Sequence, residues 1–137
     1  MLTVMPVKEE TISSPLLEQA YQSCGYDNRG EEAAVLMAKD GQEELGYVVV
    51  DRLQDRLRLL GFALTGSPNY NDLDTADQEI ADLLIRSAAS YALNRSVFYI
   101  ETRCRPLFLM LRQMGFQQYH EKMGIDVSQL IHKCKNC

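Results

Sequence analysis

Short apolar runs alternate along this chain with longer stretches of helical period, and their order predicts the fold. Residues 2–7, LTVMPV, form a first apolar run compatible with a strand. Ser14-Pro15 opens a helix: serine caps free amides, and proline fits the first helical position, where its missing N–H is no loss. Leu16, Leu17, Ala20, Tyr21 and Cys24 follow at helical spacing until Gly25 stops the helix. Three strands come next. AAVLMAK (33–39) is continuously apolar, as in a strand covered on both faces; LGYVVV (45–50) and LRLLGFAL (57–64) follow. Asp40-Gly41 predicts a type I′ hairpin turn, and Gly61 predicts a bulge or a close backbone approach.

The segment 65–74, TGSPNYNDLD, is a loop by composition. Thr75 and Gln78 then match a capping box, and Ile80, Leu83, Leu84, Ser87, Ala88 and Tyr91 line one helix face through about residue 94. VFYIE (97–101) is strongly β-prone, and a strand, a long helix and another strand imply a crossover that leaves the two strands parallel. Pro106 opens a last long helix, with Leu107, Met110, Leu111 and Met114 inward and Gly115 at its end. QQYHEKMGI (117–125) reads as a final strand, and residues 128–133 as one helical turn. The order is βαβββαβαβ. It makes an α/β fold with a mixed, mostly antiparallel central sheet, in one domain over residues 1–133 with a tail at 134–137.

Composition narrows the function. The 137 residues are 46% apolar and 24% charged, as in a globular domain, and no apolar run reaches the roughly 18 residues that span a membrane. The N-terminus lacks the basic start and apolar stretch of a secretory signal, so a cytoplasmic location without membrane partners is expected. A net charge of −5 argues against a nucleic-acid partner. The charge is uneven: residues 1–85 hold 6 basic and 16 acidic side chains, residues 86–137 hold 8 and 3, and an anion is drawn to the second part. Four cysteines at 24, 104, 134 and 137 do not make a disulfide scaffold at this length, and reduced thiols are expected.

Over residues 57–116 the sequence resembles the GNAT superfamily of acetyl-CoA-dependent N-acyltransferases. LFLMLRQMGF (107–116) is similar to that family's stretch ending in Leu-Tyr-x-x-x-Gly-Phe, and IADLLIRSAASYALNRSV (80–97) to its central helix running into the fifth strand. The resemblance implies a splayed pair of parallel strands, 57–64 and 97–101. It also implies acetyl-CoA as cosubstrate and a small-molecule or peptide amine as acceptor, with a homodimer as one arrangement it allows. Phe62, Ala63 and Leu64 would then offer strand groups to the pantetheine arm. The pyrophosphate would sit on the helix start, involving Thr75, Ala76, Glu79, Ile80 and Ala81, where free amides favour an anion.

Several positions depart from the family pattern. Where the family has Gln/Arg-x-x-Gly-x-Gly/Ala, this chain has Ala76, Glu79 and Ala81, so only the last matches. Asp72, Asp74, Asp77 and Glu79 gather carboxylates at the expected pyrophosphate position, and the Thr75/Gln78 box uses amides the phosphate needs. The family's asparagine at the end of strand five falls on Cys104, and its proton-donating tyrosine on Leu111. These departures raise a second reading, a GNAT-like domain that has lost catalysis and acts as a binding or regulatory module.

The remaining candidates each have two readings. Cys104, between Arg103 and Arg105 and ahead of a helix start, is either an activated thiol or a small packing residue. Arg103 and Arg105 are either ligands for the cofactor's phosphate or solvated side chains. Glu101 is a candidate general base or a plain solvent-facing residue. His120 is a surface residue on the last strand. Cys134-x-x-Cys137 near His132 falls short of the four ligands of a structural zinc site, so no metal is expected.

Overall fold

A computed structural model describes residues 2–8, 14–65 and 73–130. The elements are β1 (Leu2–Lys8), α1 (Ser14–Cys24), β2 (Glu32–Asp40), β3 (Glu43–Leu53), β4 (Arg56–Leu64), α2 (Thr75–Leu93), β5 (Tyr99–Thr102), α3 (Phe108–Gln113), β6 (Gln117–Tyr119) and β7 (Lys122–Asp126). Among the described residues the strands form one sheet in the order β1-β2-β3-β4-β5-β7-β6. All neighbours pair antiparallel except β4 and β5, which are parallel across the α2 crossover. The predicted α/β class is therefore found, and the element order with it except that the last strand is split in two.

The segment read as a single strand over 117–125 is a tight hairpin, β6 and β7, turned at His120 with φ of 57°. His120 thus lies in the turn rather than on a strand. The predicted last long helix is also shorter: a 3₁₀ turn at Arg105–Leu107 leads into α3, which has 6 residues. The β2–β3 turn centres on Gly41 and Gln42, with only Gly41 at positive φ, 63°. That is the pattern of a type II′ turn instead of type I′, and glycine supplies its first central position. The CxxC tail lies outside the described residues.

The continuous apolar runs of β2, β3 and β4 follow from burial on both faces. Val49 points toward Ala20 of α1 beside Gly61, while Val48 and Val50 point the other way, under α2; all three valines are fully buried. Each such side chain contributes about 1.5–3 kcal/mol relative to exposure. Leu17, Ala20, Tyr21 and Cys24 form the buried stripe of α1, and Ala81, Leu84, Ile85, Ala88 and Ala92 that of α2.

One charged pair sits inside this core. Arg58 on β4 is 2% exposed and Asp51 on β3 is 0% exposed, and they meet in a fork of two hydrogen bonds of 2.8 and 2.6 Å. The remaining valences are satisfied as a buried pair requires. Tyr21 Oη and the Gly30 amide donate to Asp51, while Arg58 donates to the Asn28 carbonyl and side chain and lies 4.3 Å from the Tyr26 ring centroid. Gly30 has no alternative at its position, because a Cβ there would meet the Asp51 carboxylate at 2.5 Å and the Arg52 carbonyl at 2.6 Å. Burial works against the charged guanidinium, yet the Asp51 hydrogen bond and charge raise its pKa overall. The pair ties β3, β4, α1 and the α1–β2 connection together.

Two outcomes follow. Arg58→Ala strands Asp51 in the core and should destabilise by about 3–5 kcal/mol in urea unfolding, whereas replacing both members with apolar residues should cost less. A loss below about 1 kcal/mol for the single change would contradict the role given to the pair. The second outcome concerns alkaline pH. Burial, then the hydrogen bond to Asp51, push the Tyr21 hydroxyl up to about 12 from 10.0. Between those values the folded chain keeps a proton that the unfolded chain has lost, so stability should fall as pH rises through that window. Tyr21→Phe should flatten this alkaline limb, and an unchanged slope would contradict the assignment.

Candidate functional site

The site begins where β4 and β5 part. Their pairing runs from Arg56 opposite Tyr99 to Leu59 opposite Thr102 and stops there, although β4 continues to Leu64. Directly after the last rung comes a bulge: Val50 faces Leu59 and Val49 faces Gly61, leaving Leu60 as the extra residue. A bulge bends its strand and increases the local twist, which carries the end of β4 away from β5. The predicted splay and bulge are both present. Gly61 is not sterically forced, however, since an added Cβ would meet Val49 and Ala20 at ordinary distances of 3.5 and 3.6 Å.

Side chains seal the apex. Thr102 Oγ1 donates to the Leu59 carbonyl at 2.7 Å and accepts from the Cys104 amide at 3.0 Å, which turns the chain out of β5. Cys104 meets Cys24 of α1 with a Cα–Cα separation of 4.7 Å, and both sulfurs lie against the Leu60 carbonyl. Topology brings them together across 80 positions, which no spacing rule in the sequence signals.

On the α2 face, a cleft of about 480 Å³ opens between the start of α2 and α3. Its apolar wall includes Leu73, Ala81, Leu109 and Met110, and its polar rim Thr75, Gln78, Glu79 and Asp82. The helix start is built differently from the predicted capping box. Asp74 is the N-cap, its carboxylate accepting from the Asp77 amide at 2.8 Å, and Gln78 turns its side chain to the Leu73 carbonyl at 3.0 Å. Aspartate outcompetes threonine here because its carboxylate also meets the positive end of the helix dipole. An amide that could have held phosphate oxygen is occupied by a carboxylate, and two more acids line the rim. Ala76 is exposed and outside the cleft lining, while Ile80 is half-buried against the core.

Two hollows lie on the α1 face. One, about 280 Å³, is bounded by α1 residues such as Ala20 and Ser23, by Gly61 and Phe62 of β4, and by Cys104 and Leu107. The other, about 370 Å³, is polar and includes Tyr26, Arg56, Arg58, Glu101, Arg103 and Lys122. Glu101 is 4% exposed, which overturns its solvent-facing reading. It accepts from Tyr26 Oη at 3.0 Å and from Arg56. Burial, followed by the charge of Glu101, pushes the Tyr26 hydroxyl far above its ordinary value, and the Glu101 hydrogen bond raises the Arg56 guanidinium.

The predicted residues therefore divide into groups. Thr75, Glu79 and Ala81 share the α2-face cleft, and Phe62, Ala63 and Leu64 lie beyond the last β5 rung. Glu101 and Arg103 line the polar hollow on the other face, where Arg103 reaches the Gly25 carbonyl at 3.4 Å. Arg105 is exposed on the 3₁₀ turn and outside the cleft lining. Neither arginine lines the cleft at the α2 start. Leu111, at the tyrosine position of the family, is fully buried in the core. The partners of Glu101 escaped sequence reading, although the alternating Arg56-x-Arg58 in an otherwise apolar strand was a signal for one polar face. Among the described residues no group of three or more His, Cys, Asp and Glu side chains could hold a metal. No helix among them is long and apolar enough to cross a membrane.

No protein-family model matches the sequence, and comparison with curated proteins finds no significant relative. Solved structures do match. An Escherichia coli N-acetyltransferase of ribosomal-protein alanine superposes with a TM-score of 0.56 at 13% identity, over 93% of this chain and 94% of that one. An IAA acetyltransferase from Bacillus cereus gives 0.60 at 11% identity, over 92% and 99%. A GNAT family acetyltransferase from Elizabethkingia anophelis, solved with acetyl-CoA bound, gives 0.58 at 15% identity, over 86% and 77%. Parallel β4 and β5, the bulge at Leu60 and these superpositions lead to one conclusion: the chain has the GNAT acetyltransferase fold, in a divergent form.

Proposed function

We propose that the protein is an N-acyltransferase that moves an acetyl group from acetyl-CoA to an amine, with the thioester held where β4 and β5 diverge. The observation that carries this reading is the end of pairing at Leu59 and Thr102, which leaves the last part of β4 without a β5 partner beside the hollow lined by Gly61, Phe62 and Cys104. A pantetheine arm is itself peptide-like, and a strand whose neighbour has turned away is a template for it. The amine would approach from the α1 face through the hollow beside Gly61 and Cys104. Glu101, buried one residue before the last rung in the polar hollow and held by Tyr26 and Arg56, would serve as base for an amine that reaches that hollow. Transfer would then rest on proximity and on backbone donors near the bulge polarising the thioester carbonyl.

The residues present suit the arm and not the pyrophosphate. The Asp74 carboxylate already occupies the Asp77 amide, and Glu79 and Asp82 add negative charge to the cleft. A second reading, a binding module without catalysis, is favoured by that same feature and by Leu111 standing buried where a tyrosine acid is found in the family.

Calorimetric titration with acetyl-CoA and with S-acetylpantetheine separates these readings. If the arm carries recognition, the two should bind within about tenfold of each other, a difference of about 1.4 kcal/mol. Ala76→Arg with Glu79→Gly should tighten acetyl-CoA and leave S-acetylpantetheine unchanged. A preference for acetyl-CoA above about a hundredfold would mean that the nucleotide end is recognised after all. Binding of neither compound would sink the acyltransfer reading and leave the binding module.

A further inference from the structure

Cys24 and Cys104 have a use that the acyltransferase reading does not require. Both are buried, 3% and 7% exposed. Their Cα atoms are 4.7 Å apart, within the roughly 4.4–6.8 Å that a disulfide spans, so the cross-link needs no backbone movement. Their positions are also unusual mechanically. Cys24 is the last residue of α1, and Cys104 is the second residue after β5, so a bond between them ties the helix to the strand exit across the bulge.

Access and chemistry point the same way. Cys104 lines the hollow of about 280 Å³ on the α1 face, which admits a small oxidant or reductant to one sulfur while Cys24 stays covered. Both sulfurs rest against the Leu60 carbonyl. As thiols, either S–H can donate a proton to that oxygen; as a disulfide, neither can. The redox state of the pair thereby sets the hydrogen bonding of the bulge residue itself.

We propose that Cys24 and Cys104 form a reversible dithiol–disulfide couple, oxidised by hydrogen peroxide through the α1-face hollow, that clamps α1 to the exit of β5. The Cys104 sulfur attacks one peroxide oxygen, forming an S–O bond and breaking O–O, and the departing oxygen leaves as water after taking a proton. The Cys24 sulfur then attacks the Cys104 sulfur, forming S–S and breaking S–O, and a second water leaves. Two thiols lose two electrons and two protons, and the peroxide becomes two waters. A soluble dithiol reverses the change by thiol–disulfide exchange at Cys104. The couple stands independently of acyl transfer, and its test uses no acyl donor.

The experiment is peptide mapping by mass spectrometry of the folded full chain after hydrogen peroxide, and again after a dithiol, with alkylation of free thiols. The expected result is a peptide pair linking residues 24 and 104 after peroxide, with both thiols alkylated after reduction and on quenching in denaturant. The oxidised form should also melt higher by about 5–10 °C, a shift absent in Cys24→Ala and in Cys104→Ala. If either variant does not fold, Cys134→Ser with Cys137→Ser supplies the control, because it should keep the whole effect. The proposal is overturned if the cross-link fails to form with peroxide, if it joins residue 134 or 137 instead, or if it resists the dithiol in the folded chain.

Discussion

The last hydrogen-bonded rung between β4 and β5, Leu59 opposite Thr102, is the constraint on which the functional architecture depends. Two local devices end the pairing there. On β4, the extra residue Leu60 changes register against β3 and bends the strand. On β5, the Thr102 hydroxyl satisfies Leu59 and takes the Cys104 amide, so the chain leaves the sheet with its polar groups satisfied. A buried strand end without such partners would cost about 1–3 kcal/mol for each stranded group. Beyond this termination Leu60, Gly61, Phe62 and Cys104 line the hollow on the α1 face.

Rigidity at the apex comes from its surroundings. On the paired side, the Arg58–Asp51 fork and its tyrosine and glycine donors fix β3 to β4 just before the bulge. A buried ion pair is weak evidence for net stability, but a fully satisfied one opposes register slippage, because any slip strands two charges. On the open side, α1 closes over Gly61 and places Cys24 against Cys104. The apex therefore has an electrostatic support on one side and a sulfur contact on the other.

Much of this was legible in the sequence. The apolar run at 33–39 predicts a doubly covered strand, those at 45–50 and 57–64 its two successors, and the strand–helix–strand order a parallel pair. Gly61 drew attention to the bulge, although the extra residue is Leu60 and a Cβ at 61 would fit. What escaped were features set by contacts distant in sequence. Glu101 looked exposed at a strand end, because Tyr26 and Arg56 cover it from elements 75 and 45 positions away. The Thr75 cap moved to Asp74, a competition between neighbours that propensity alone does not resolve. His120 fell in a turn because a hairpin of such short strands has no apolar alternation to reveal it.

The fold and the helix start pull in different directions: β4 loses its β5 partner beyond Leu59, while the carboxylates of Asp74, Glu79 and Asp82 gather at the start of α2. The central claim is that recognition resides in the strand. Amide chemical-shift mapping of the labelled chain with S-acetylpantetheine tests it most directly. The strongest perturbations are expected on residues 60–64, with smaller ones along the wall formed by Leu109 and Met110. Perturbations confined to the polar hollow around Glu101, or none near the end of β4, would contradict it.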